Sequence, residues 1–211
     1  MILDTTPHVI TSLLALGMAL AFIIADRASP TSRALSLFLA SIGLAIGVGS
    51  QIAYPLHLKR GIAAWDGVFA IPEMLAFIFA YEWVLRVRRT VPARNLKTRG
   101  PDAALRVAQG LAVFYGLAAL AFPKLRADHF VNAGLQEVFG GGEPEFWLFA
   151  LPLSLSLTLG IFSGLLMLRR RPDRAEAVRL LAFAVAAPFM ASGVVLPANV
   201  APMVTSIGLL I

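Results

Sequence analysis

Seven apolar runs, most of them close to twenty residues long, restrict this chain to one kind of fold. A helix rising 1.5 Å per residue needs about 20 residues to cross a hydrocarbon layer about 30 Å thick. The runs cover about 8–25, 34–55, 68–85, 107–122, 146–168, 180–196 and 199–211. Between them lie Arg-, Pro- and Gly-containing breaks such as Asp26-Arg27-Ala28-Ser29-Pro30 and Arg169-Arg170-Arg171-Pro172. With 58% hydrophobic and only 14% charged residues over 211 positions, a water-soluble domain would have no interior large enough to hide the apolar surface. The pattern predicts an all-α membrane protein, a single domain over 1–211, with six full helices and a short seventh.

That seventh run is the odd one. The 14 residues from Ala198 rise only about 21 Å. It is either a half-helix or the stump of a helix cut from a longer protein, and the lack of a polar end favours the cut. At the other terminus Asp4 precedes the first run and no Lys or Arg does, so the positive start of a cleavable signal peptide is missing and the first run is predicted to be retained.

Charge supplies the orientation. The net charge is +6, and all 18 Lys and Arg lie outside the central parts of the runs. Fourteen fall in the first, third and fifth connections: Arg27 and Arg33; Arg86, Arg88, Arg89, Arg94, Lys97, Arg99 and Arg106; Arg169, Arg170, Arg171, Arg174 and Arg179. The opposite side holds four: Lys59, Arg60, Lys124 and Arg126. Short cytoplasmic loops carry the Lys/Arg excess, so the odd connections are cytoplasmic, the N-terminus outside and the C-terminus inside. A basic composition placed in this way is a topology signal and not a nucleic-acid surface. Trp65 and Trp147 at the outer starts of the third and fifth runs, and Trp83 near the inner end of the third, fit interfacial anchoring. The longest outer connection, 123–145, suits a surface helix through Phe130, Val131, Leu135, Val138 and Phe139, followed by the break Gly140-Gly141-Gly142.

The third run carries the most chemistry, Ile71-Pro72-Glu73 through Tyr81-Glu82-Trp83. An acid inside an apolar run is costly and usually faces a bundle interior or a water-filled cavity. Glu73 either binds a ligand, a cation or a proton, or hydrogen-bonds a neighbouring helix as a purely structural group. Pro72 removes one backbone donor beside it and favours a kink. Glu82 has Arg86 four residues on, the spacing of a helical ion pair. On the outer side, Gln51, Tyr54, His8, His57 and Asp66 join Glu73 as candidates for a polar pocket taking a small ligand; His129 lies on that side too. Imidazole and carboxylate suit Zn or Cu, but no two histidines have ligand spacing, so neither a metal nor any other cofactor is assigned.

Other chemistries lack their residues. The chain has no cysteine, hence no disulfide, thiolate site or cysteine nucleophile. Hydrolase, zincin and phosphate-loop motifs are missing. Gly43, Gly47 and Gly49, and the series Ser156-x-x-x-Gly160-x-x-x-Gly164, lie inside apolar runs and read as close helix packing, within one chain or between two. The last two runs contain no lysine to form a retinal Schiff base. Pro188, Pro197 and Pro202 interrupt them, as the broken helices of transporters do.

The outer N-terminus, the stretch from Ile71-Pro72-Glu73 to Trp83-Val84-Leu85-Arg86-Val87-Arg88-Arg89, the basic inner loops and a last helix entering the cytoplasm together resemble the N-terminal membrane regions of bacterial signalling proteins. Membrane-anchored class III adenylate cyclases and seven-helix sensor histidine kinases are the instances. The resemblance implies a bacterial inner-membrane location, a homodimer, and a cyclase or kinase domain after Ile211 holding every catalytic residue. The competing expectation is a self-contained small transporter or membrane enzyme that uses Glu73.

Overall fold

The computed structural model describes residues 6–48, 64–89, 99–126, 143–168, 174–195 and 201–211. Every element among them is helical: α1 (Thr6–Ala25), α2 (Pro30–Val48), α3 (Ala64–Arg89), α4 (Arg99–Ala121), α5 (Pro123–Leu125), α6 (Pro144–Leu168), α7 (Arg174–Val195) and α8 (Ala201–Leu210). Five helices are long and apolar enough to cross a membrane, within α1, α2, α3, α4 and α6. The other two long segments fall short of that measure. Within α7 the stretch fully described is the apolar Ala177–Phe189, shorter than a span, and α8 has ten residues, about 15 Å of rise.

The helix ends overrun the apolar runs. α3 starts at Ala64 and α4 at Arg99, where the apolar runs start only at Val68 and Val107. These extra turns hold polar residues such as Asp102 and Arg106, because helical hydrogen bonding continues after the side chains change character. α2 has a well-made start: Ser29 Oγ accepts the Ser32 N–H at 3.3 Å, and Pro30 occupies the first position, where its missing N–H costs nothing.

Neighbours in sequence are neighbours in space. α1 packs on α2, α2 on α3, α3 on α4, α4 on α6, α6 on α7 and α7 on α8, and α8 returns to α1, closing a ring. Polar contacts give several of the directions. Glu73 meets Tyr115, Gln109 Nε2 donates to Ile78 O at 3.1 Å, and Glu82 meets Arg106, so α3 and α4 are antiparallel. Ser12 Oγ donates to Gly43 O at 2.7 Å, joining the first half of α1 to the second half of α2. Thr11 Oγ1 and Ser206 Oγ, each on the sixth residue of its helix, are 2.6 Å apart. Leu209 then joins the cluster of Ala15 and Ala19, so α8 runs parallel to α1.

Small and polar residues line the inside together with aromatics such as Tyr81, Tyr115 and Phe149, while many large apolar residues point out. Thr11, Ser12, Ser41, Ser156 and Ser163 are buried; Ile10, Leu13, Leu20, Leu117, Phe162 and Leu181 are exposed. That surface suits lipid, where apolar side chains need no hiding and close helix approach supplies the cohesion. The glycine series is used within the chain. A Cβ on Gly160 would collide with the Tyr81 ring, Gly164 lies against Phe183, and Cβ atoms on Gly43 and Gly47 would strike Leu16 and Ser12 of α1. Trp65 and Trp147 are exposed near the starts of α3 and α6, while Trp83 packs on Phe183 with ring centroids 5.9 Å apart.

Candidate functional site

Glu73 sits one position after Pro72 in α3, where the missing proline N–H and the ring's crowding of the preceding turn loosen the backbone. Its partners come from α4 and the corner beyond it. α4 ends at Ala121 because Phe122 precedes a proline and is pushed out of the helical region, with φ −127° and ψ 58°. Pro123 then starts α5, and Arg126 N–H closes the turn on Phe122 O at 3.0 Å. The corner lies tight on the start of α3: a Cβ on Gly67 would come 2.7 Å from Ala119 O and 3.1 Å from Pro123 Cβ. Only glycine at 67 allows this approach, and it turns the Arg126 side chain back into the bundle.

Three groups close on one another there. Arg126 Nη2 donates to Glu73 Oε2 at 2.7 Å, the Tyr115 hydroxyl donates to the same oxygen at 2.5 Å, and Arg126 Nε donates to the Tyr115 oxygen at 3.1 Å. Tyr115 is fully buried and the Arg126 side chain is 4% exposed, against 23% for Glu73. Burial opposes the arginine charge, but the adjacent carboxylate outweighs it and raises the guanidinium above its ordinary range. Among the described residues both hydrogen bonds to Glu73 fall on Oε2, and Oε1 accepts none.

The other candidates divide. His8 is buried on α1, which packs on α2 and α8, and it does not join Glu73. Asp66 lies on the first turn of α3, with its side chain outside the described residues. Gln51, Tyr54, His57 and His129, like the Gly140–Gly142 break, lie outside them altogether. Among the described residues no three His, Asp or Glu gather closely enough to hold a metal ion. Glu82 Oε1 stands 2.9 Å from Arg86 Nε, too poorly aligned for a hydrogen bond, and Oε2 is 3.4 Å from Arg106 Nη1.

Tyr115 and Arg126 are absent from the sequence-based candidates. Arg126 looked like one of four outer-loop cations, because counting loop charges treats each as solvated. The available signal was Pro123 with Arg126 three residues later: a helix start that carries a cation back toward the apolar run. No known protein family, no curated protein and no solved structure matches this chain.

Proposed function

We propose that this chain is the membrane anchor and sensor domain of a bacterial signalling protein. It crosses the inner membrane seven times from an outer N-terminus and works as a homodimer. It passes a signal through α8 to a cytoplasmic effector such as a cyclase or kinase. The observation that carries this reading is the pairing of α1 with α8. Thr11 and Ser206 meet at the sixth residue of two parallel helices, so α8 sets out in the same direction as α1, which in the proposed orientation is inward. The fourteen basic residues in the first, third and fifth connections support the inward direction.

The Glu73–Tyr115–Arg126 group is the receiving element. A ligand donor that engages Glu73 Oε1 competes for carboxylate charge with Arg126 and biases how α3 sits on the α4–α5 corner. A ligand shifts such an equilibrium only by its difference in affinity for the two arrangements. The transporter or membrane-enzyme alternative asks Glu73 to load and release a substrate or a proton. An acid whose Oε2 already accepts two hydrogen bonds, one from a buried guanidinium, serves that role less well.

The coding sequence downstream of Ile211 gives the first test. A coiled-coil linker followed by a cyclase or kinase domain is expected; a stop codon overturns the relay. The second test compares effector output in the full-length protein with Glu73→Gln/Arg126→Met, a neutral replacement of the pair. Loss of the stimulus response with basal output retained is expected. An unchanged response assigns Glu73 a structural role alone. Reporter fusions within 127–142 and after Ile211 test the topology, with external and cytoplasmic signals expected respectively.

A further inference from the structure

The surface between α1 and α2 holds an apolar groove of about 430 Å³, lined by Leu16, Leu20, Ile23, Leu37 and Ala40. It opens outward, since Leu20 is 59% and Leu37 48% exposed. Both polar residues of its wall, Arg33 and Ser36, lie one helical turn apart on the first turns of α2. Arg33 is exposed and, among the described residues, forms no ion pair; Ser36 is buried beneath the groove. The nearest acid in sequence, Asp26, accepts the Ser29 N–H at 3.0 Å in the α1–α2 turn, and Arg27 beside it adds a second cation.

We infer that this groove is a binding site for an anionic phospholipid. One acyl chain lies along Leu16, Leu20, Ile23, Leu37 and Ala40, and the headgroup phosphate pairs with Arg33. The chemistry selects the occupant. A guanidinium takes two oxygens of a phosphodiester at once, and an apolar trough leading away from it has no use for a free anion. A second copy of this face, related by a two-fold axis along the membrane normal, would bury the trough but bring its own Arg27–Arg33 turn against Arg33. The site lies at the end of α1–α2 that carries Arg27 and Arg33. In the orientation proposed above this is the cytoplasmic leaflet, whose anionic lipids collect in basic clefts between helices. The inference does not depend on the sensor reading, because lipid binding is measured without an effector.

The experiment is native mass spectrometry of the detergent-purified chain, titrated with phosphatidylglycerol or with phosphatidylcholine of the same chain length. Phosphatidylglycerol adducts are expected at lower concentration. Arg33→Gln is expected to weaken them about fivefold, the worth of one basic residue near an anionic lipid surface. Phosphatidylcholine adducts are expected to stay unchanged. Ala40→Phe, which fills the trough, is expected to reduce both, and Arg174→Gln, a cation elsewhere on the chain, neither. Helical content by circular dichroism verifies that each variant is folded, and glycerol phosphate is expected not to displace the lipid. Equal binding of the two lipids, equal losses in the Arg33 and Arg174 variants, or displacement by glycerol phosphate overturns the proposal. So does a dimer, free of lipid, that Leu20→Arg disrupts, which assigns the groove to a second copy.

Discussion

The two ends of α3 each hold a glutamate paired with arginine, and they differ in an instructive way. Glu73 and Glu82 are about equally shielded, with side chains 23% and 18% exposed. Their cations are not. Arg126 is 4% exposed, while Arg86 and Arg106 are 35% and 54% exposed. At the Glu73 end a guanidinium has been carried into the bundle by the Pro123 corner and has two partners waiting. At the Glu82 end two arginines converge on the acid, Arg86 with its Nε buried and the rest of its side chain partly exposed, Arg106 mostly exposed. The burial of the cation, more than that of the acid, therefore decides how much each cluster matters.

The largest expected effect follows from that asymmetry. Glu73→Gln strands a buried guanidinium and is expected to cost about 3–5 kcal/mol, the range for breaking a buried pair from one side. Arg126→Met strands an acid that already reaches the surface, and should cost less, about 1–3 kcal/mol. The double variant should recover much of the loss, because a neutral, well-filled site needs no compensation. Denaturant unfolding in detergent gives all three values. Equal costs for the two single variants would break the comparison, since the buried partner would then carry no special weight.

A smaller effect belongs to the packing beside the Glu82 cluster. Tyr81, the residue before Glu82 in α3, is in contact with Gly160, and its hydroxyl accepts a hydrogen bond from Ser156 at 3.1 Å; Ser156 also reaches Ala108 O at 2.8 Å. Gly160→Leu is expected to cost about 1–3 kcal/mol by overpacking. Tyr81→Ala, which empties the space, should offset much of it in a double-variant cycle. No offset would mean that α6 shifts as a body, and that the ends of α3 are not held independently.

These elements also mark what the sequence disclosed. Glu73 was conspicuous because lipid makes an intramembrane acid expensive, and the Glu82–Arg86 spacing is local. Arg126 lies 53 residues beyond Glu73, and nothing local marks it as a partner: only the break at Phe122-Pro123 brings it back. The small-residue series was legible as a packing face, but a period of four names a face and not its occupant. Tyr81 and Phe183 are found only when α6 is placed between α3 and α7. Helix ends at 64 and 99 were missed because apolarity stops at the edge of the hydrocarbon and backbone hydrogen bonding does not.

The smallest expected effect is at Glu82, and it sharpens the contrast because it isolates solvent. Glu82→Gln should cost no more than about 1 kcal/mol, the usual worth of a pair whose cations reach solvent. Its coupling to Arg106 should fade as salt rises, because about 1 M electrolyte screens charges beyond roughly 3 Å and that contact is 3.4 Å long. Part of the arrangement should survive the substitution. Arg106 Nη1 also donates to Gln109 Oε1 at 2.7 Å, and Gln109 is tied to Ile78 O, so α3 and α4 keep one polar link without the acid. The Glu73–Arg126 coupling, measured in the same salt series, should hold nearly constant, since no electrolyte reaches between a buried guanidinium and the oxygen 2.7 Å away. If both couplings fell together, Arg126 would have to be exchanging with solvent, and the two ends of α3 would differ in geometry but not in kind.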